Sequence, residues 1–249
     1  MIREVAIADS VIERAPPLLE VLGLSKRYGD QHALTKVSFE VRAGDVLGLI
    51  GPNGSGKTTL LEALAGLIPV EAGELRWRGT PTTSTNRREM MFYLPDGLRP
   101  WDDELVVRVL TFFGTVYRRT EREVTEIISS VGLAPVLRQR VNTLSKGFAR
   151  RLMLALALLT PQPLLLMDEP FDGFDLRQTR DVMGLIRRVA ACGRTLVLAI
   201  HQLGDAERVC DRFVLLAGGT VRGAGTLDEL RAQTKLMAAS LEDVFLALT

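Results

Sequence analysis

Short apolar runs at residues 18–22, 37–41, 46–50, 164–167, 196–200 and 213–216 punctuate the chain, rich in leucine and β-branched residues. Leu164-Leu165-Leu166-Met167 shows no polar alternation, the pattern of a strand buried on both faces, as in a parallel sheet. Between the later runs, Leu176, Met183, Ile186 and Val189-Ala190 recur at helical spacing. Strands alternating with helices predict an α/β core. The middle third reads differently. Over about residues 98–160 the spacing is helical, with Leu105, Val109, Phe112-Phe113 and Val116 marking one helix. Val124, Ile127-Ile128 and Val131 mark a second, ended by Gly132. These predict a helical insert in an otherwise strand-rich chain. Ser240 with Asp243 forms a capping-box pattern ahead of Leu241, Val244, Phe245 and Leu248, which predicts a final docked helix.

Composition narrows the function. The 249 residues carry 31 Lys+Arg against 30 Asp+Glu, a formal net charge of +1. A protein that binds nucleic acid by neutralising phosphates needs an excess of cations, so no nucleic-acid partner is expected. Cys192 and Cys210 have no CxxC or metal-ligand partner, which suits a reduced, cytosolic chain. Glu4, Asp9 and Glu13 interrupt any signal-peptide run, and Thr160-Pro161-Gln162-Pro163 breaks the most apolar stretch, 152–167. Neither an export signal nor a membrane span is expected. Action on a membrane would need a partner that crosses it.

The chemistry begins at Gly51-Pro52-Asn53-Gly54-Ser55-Gly56-Lys57-Thr58, which fits GxxxxGK[ST] between an apolar run and the helical pattern Thr59, Leu60-Leu61, Leu64. Glycines let such a loop turn its N–H groups around phosphates, and the following helix N-terminus favours anions. Lys57 is placed to reach the β- and γ-phosphates and the Thr58 hydroxyl to ligate magnesium. The expected fold is therefore a P-loop NTPase core with a mostly parallel sheet and an inserted helical subdomain. Asp168-Glu169, at the end of the run 164–167, supply a magnesium-holding acid and a neighbour able to polarise water.

In order along the chain come Tyr28, the phosphate loop, Tyr93-Leu94-Pro95-Asp96, Leu144-Ser145-Lys146-Gly147-Phe148, Asp168-Glu169, Asp172-Gly173-Phe174-Asp175 and His201. This series resembles the ATP-binding cassette (ABC) ATPases, the nucleotide-binding subunits of ABC transporters. The resemblance runs from about Leu18 to the C-terminus. It implies an extension over 1–17 and one ABC ATPase domain over 18–249, with an antiparallel β portion near the N-terminus and the helical subdomain at about 98–160. The ending Leu-Glu-Asp-Val-Phe-Leu-Ala-Leu-Thr and the Leu-Ser-Lys-Gly segment are similar to the exporter branch.

What the resemblance implies falls residue by residue. Tyr28 stacks on adenine; Gly51, Pro52, Asn53, Gly54, Ser55, Gly56, Lys57, Thr58 and Thr59 hold phosphates; Thr58, Asp168 and, through water, Asp96 serve magnesium. Glu169 orients the attacking water and His201 contacts the γ-phosphate, so Glu169, His201 and Lys57 form the catalytic set. Ser145, Lys146 and Gly147 cap the γ-phosphate of a second subunit, closed head to tail, a homodimer being favoured over a heterodimer. Three positions depart from the family pattern: Lys146 replaces a glycine and adds positive charge near phosphate, Phe148 replaces a Gln, and Asp96 stands where a Gln links the site to the transport subunit. The implied function is an ATPase using ATP and Mg2+ on the cytoplasmic face of the inner membrane, powering a separate permease, with a mechanical or signalling membrane complex as the alternative. Tandem cassettes, long coiled coils or zinc cysteines, marks of soluble relatives in translation or DNA repair, are not in the sequence.

Overall fold

The computed structural model describes residues 16–98 and 100–249; the extension expected over 1–17 falls almost wholly outside them. The chain opens with β1 (Leu19–Tyr28), β2 (Gln31–Val41) and β3 (Val46–Ile50), followed by α1 (Lys57–Ala65). Then come β4 (Ala72–Trp77), β5 (Thr80–Pro81), α2 (Ser84–Met90) and β6 (Met91–Leu94). Three helices follow, α3 (Val106–Val116), α4 (Glu121–Val131) and α5 (Lys146–Leu159), with single 3-10 turns at Ala134–Val136 and Val141–Thr143. The last third holds β7 (Leu164–Asp168), α6 (Leu176–Ala191), β8 (Thr195–Ile200), α7 (Leu203–Val209), β9 (Arg212–Ala217), β10 (Thr220–Gly225), α8 (Leu227–Thr234) and α9 (Leu241–Leu248).

Two sheets form. One is antiparallel with order β2-β1-β4-β5; the other has order β10-β9-β3-β8-β7-β6 and is parallel except for the β9–β10 pair. The unbroken apolar runs are explained by two cores, one on each face of the larger sheet. Val46 and Ile50 of β3, Leu165 and Met167 of β7, and Leu196, Leu198 and Ile200 of β8 point into the core shared with α3, α5, α6 and α9. Their alternates Leu47, Leu49, Leu164, Leu166, Val197 and Ala199 point into the core shared with α1 and the antiparallel sheet. A period of two with both phases apolar reads as a continuous run. Each leucine so buried stabilises the fold by roughly 1.5–3 kcal/mol relative to exposure. Gly48 in β3 sits close to α7 and β9: a Cβ there would lie 3.0 Å from the Cys210 sulfur and 3.3 Å from the Phe213 ring, so those side chains would have to give way.

The helical region behaves as its spacing predicts. In α4 the Thr120 hydroxyl accepts from the Glu123 N–H while the Glu123 carboxylate accepts from the Thr120 N–H, and Gly132 ends the helix at φ +71°. The final helix has the expected box, with Ser240 Oγ accepting from Asp243 N–H at 3.2 Å and Asp243 accepting from Ser240 N–H at 3.1 Å. Among the described residues of 98–160 the only extended pairing is a single bridge between Leu105 and Arg140. The carbonyls at the end of α5 lack intrahelical partners and carry the negative end of its dipole. Two arginines meet them. Arg119 donates to Leu159 O and Thr160 O, and Arg194 to Leu158 O, Thr160 Oγ1 and Gln162 O. Burial and the neighbouring Arg119 charge push Arg194 down to about 10. The helix that begins at Ser145 is thereby fixed at its far end to the sheet. No helix among the described residues is long and apolar enough to cross a membrane.

Candidate functional site

Four adjacent parallel strands, β3-β8-β7-β6, deliver the candidate residues from their C-terminal ends. After β3 come residues 51–58, after β8 His201, at the end of β7 Asp168-Glu169, and after β6 Asp96. A crevice at the carboxyl ends of such strands is where α/β folds bind ligands. Asn53, Gly54, Gly56, Lys57, Thr58, Thr59, Asp96, Asp168 and Glu169 line one cleft of about 380 Å³, together with Tyr28, Gln31 and Ala33 at the turn between β1 and β2.

The phosphate loop is shaped by contacts that only glycine permits. At Gly56 (φ +103°) a Cβ would lie 2.6 Å from Ala33 O, and at Gly51 it would overlap Leu216 O and sit 2.5 Å from Ser55 Oγ. Gly56 also caps α1, which has no side-chain cap and no acid in its first turn. Its leading N–H groups are therefore free for an anion. Ser55 is buried and its Oγ has no hydrogen-bond partner among the described residues.

Lys57 is 6% exposed, with Nζ donating to Gly51 O at 2.8 Å and Pro52 O at 3.3 Å. Burial lowers its pKa, opposed by the nearby Glu169 and Asp168 charges; Glu169 Oε1 lies 4.0 Å away. Thr58 Oγ1 donates to Asp168 Oδ2 at 2.7 Å. Burial and the Asp168 charge hold the proton on the Tyr93 hydroxyl. Glu169 takes up a left-handed backbone, φ +47°, with its N–H on Ala199 O at 3.0 Å. Its Oε2 lies 2.7 Å from His201 Nδ1. A carboxylate can only accept, so Nδ1 carries the proton and the ring is held by Glu169.

With Asp96 paired to Arg150, the Asp168 and Glu169 carboxylates face the single Lys57 ammonium, so the cleft is acidic at rest. A triphosphate adds more negative charge, so the donor set fits only with a divalent cation between phosphate and acid. The Thr58 hydroxyl beside Asp168 has the oxygen chemistry magnesium takes, and the uncapped α1 N-terminus with the glycine cradle suits phosphate. Asp96 lies on the cleft wall with its carboxylate paired to Arg150 at 3.1 Å. Tyr28 is half exposed, with Lys26 Nζ 5.1 Å over its ring.

Ser145, Lys146 and Gly147 do not line this cleft. Ser145 caps α5, its Oγ accepting from Phe148 N–H at 3.3 Å, and Lys146 Nζ donates to Asp172 Oδ2 at 2.8 Å. Both side chains of this Lys146–Asp172 pair are largely exposed. His32, the other histidine, is exposed in β2. Sequence reasoning overlooked Arg150, a buried cation that donates to Asp168 O at 2.8 Å and to Glu169 O. Its only signal is a charge set among apolar residues on the inner face of α5.

Comparison with known proteins places the chain. The ABC transporter family profile matches residues 34–172, more than half of it. The chain is 35% identical to the daunorubicin resistance ATP-binding protein DrrA3 of Streptomyces coeruleorubidus, over 88% of this chain and 72% of that one. It is 35% identical to the Nod factor export ATP-binding protein I of Rhizobium meliloti over 81% of its own length, spanning 62% of that relative. A solved ATP-binding subunit of an ABC transporter superposes with a TM-score of 0.84 at 31% identity, covering 93% of this chain and 99% of the other. The chain belongs to the ABC transporter family, as an ATP-binding subunit of exporter-like type.

Proposed function

We propose that this chain is the ATP-hydrolysing subunit that powers an ABC exporter, two such subunits closing on ATP beneath a separate transmembrane permease at the cytoplasmic face of the inner membrane. One observation carries the reading: Lys57, Thr58, Asp168, Glu169 and Asp96 line a single cleft at the ends of adjacent strands. The names of the relatives, one an export subunit and one a drug-resistance subunit, support the exporter assignment. A homodimer would give two equivalent sites by symmetry. In it, Ser145 and the α5 N-terminus, which do not line their own cleft, are available to the partner's nucleotide.

Phosphoryl transfer to water is a matter of position and charge. Magnesium, when bound, neutralises the phosphate oxygens. Thr58 and Asp168 hold its place, and the amides leading α1 receive the phosphates. Lys57, fixed by two loop carbonyls, meets the terminal phosphate as a point charge. Glu169 orients the water, with His201 steadying its carboxylate. Tyr28 offers a ring face to the base.

Steady-state ATP hydrolysis tests the reading. Lys57→Ala is expected to lose ATP binding, whereas Glu169→Gln binds ATP with hydrolysis down at least a hundredfold. Normal turnover by Glu169→Gln would remove Glu169 from its role. Purification of the tagged protein from detergent-solubilised membranes with ATP should bring a polytopic membrane protein in stoichiometric amount; recovery with soluble or single-span partners only would overturn the transporter reading.

A further inference from the structure

Arg150 sits one turn after Lys146 on α5 and is 8% exposed. Its guanidinium serves two other parts of the fold. Nη2 donates to Asp168 O and Glu169 O, the carbonyls on either side of the Glu169 Cα, and Nη1 lies 3.1 Å from Asp96 Oδ1. The Nε atom is buried with no partner among the described residues, so the side chain is not arranged to satisfy its own donors. Lys146 grips the far end of the same turn through Asp172, its stem lying across Gly173, where a Cβ would come within 2.8 Å. The turn so gripped is the one in which Glu169 is held left-handed, and its Glu169 carbonyl also accepts from Asp172 N–H at 3.1 Å.

Holding both carbonyls fixes both peptide planes that flank Glu169, and with them the direction in which its carboxylate leaves the backbone. A left-handed non-glycine residue persists only where its surroundings determine it. We infer that Arg150 is a positioning residue for hydrolysis: it fixes the turn that aims Glu169 into the cleft, and its ion pair with Asp96 makes that hold depend on the loop after β6. This rests on the ATPase reading above. Guanidinium geometry matters, because one planar fork reaches three acceptors that a lysine ammonium cannot span.

The test uses the full chain as wild type, Arg150→Gln, Arg150→Lys, Asp96→Asn and the Asp96→Asn/Arg150→Gln double variant. Turnover is measured alongside calorimetric binding of a non-hydrolysable ATP analogue. Arg150→Gln is expected to lower kcat at least tenfold with analogue Kd within threefold, since Arg150 does not line the phosphate cleft. Arg150→Lys falls between and serves if the Gln variant does not fold. Amide exchange at Asp172 rises in Arg150→Gln, reporting the loosened turn without turnover. The double variant loses less than the product of the single losses. Turnover within twofold of wild type in Arg150→Gln (or in Arg150→Lys, where the Gln variant does not fold), an analogue Kd that rises as much as kcat falls, or fully multiplicative losses would overturn the inference. A wild-type chain that does not hydrolyse ATP overturns the function itself instead.

Discussion

Replacing Glu169 by glycine should yield a more stable protein than replacing it by alanine. Both changes strip the carboxylate, with its 2.7 Å contact to His201 and its 4.0 Å approach to Lys57, so the side-chain losses cancel in the comparison. What differs is the backbone at φ +47°. An L-residue in the left-handed region costs about 1–2 kcal/mol, while glycine adopts it freely. Against this, glycine loses more chain entropy on folding, about 0.5–1 kcal/mol relative to alanine. The balance favours glycine by about 0.5–1 kcal/mol, or roughly 1–4 °C in Tm for a chain of this size. The sign is the reverse of a helix interior, where alanine wins by about 1 kcal/mol. Urea titrations of the nucleotide-free variants, followed by far-UV circular dichroism and compared at equal m-values, measure the difference. Alanine equalling or exceeding glycine would refute the claim that the site stores backbone strain at the residue proposed to handle water. Neither variant should hydrolyse ATP.

Two further changes test other parts of the argument. Gly51→Ala drives a methyl group into Leu216 O and Ser55 Oγ, so the loop must shift; stability should fall by about 1–3 kcal/mol in thermal melts and ATP affinity at least tenfold in calorimetry. Asp45 has its pKa raised by burial and by the Asp211 charge, with Oδ2 lacking a hydrogen-bond partner among the described residues, so its charge opposes folding at neutral pH. The folded form binds the proton more tightly than the unfolded one, and Asp45→Asn should therefore raise Tm at pH 7, by an amount that shrinks as pH falls through the raised value; an equal gain at pH 7 and pH 4 would show that titration is not the cause.

Strands that face two cores were the most legible in the sequence; β1 and β2 also showed, as the apolar runs at 18–22 and 37–41, whereas β4 and β10 did not. β3, β7 and β8 stand out because every residue is buried. In β4 (Ala-Gly-Glu-Leu-Arg-Trp) only Leu75 is fully buried, and the alternation is confined to Leu75 and Trp77, too short to mark a strand. β10 carries two glycines against strand propensity, and Gly223 earns its place because Leu230 and Leu248 close over it, within 2.8 and 3.0 Å of where a Cβ would be. Capping boxes at Thr120 and Ser240 are local in sequence and so mark their helices directly.

The same division governs the site. The phosphate loop is legible because its chemistry lies in eight consecutive residues, and Asp168-Glu169 because they end a buried strand. Arg150 is not, and its neighbour shows why. Arg150 and Arg151 are adjacent, of one type, on one helix, and both donate to main-chain carbonyls. Arg151 reaches Val131 O at 2.7 Å and lies 5.6 Å over the Phe174 ring, tying α5 to the end of α4; Arg150 reaches Asp168 and Glu169. A carbonyl acceptor has no residue identity, so no motif records the pairing. The 100° step between neighbours on a helix sends one guanidinium to the helical insert and the other to the site. Only the fold tells which is which. Residues that act through backbone are thus the ones a sequence conceals, and in this chain one of them stands between the proposed water-handling acid and the loop at Asp96.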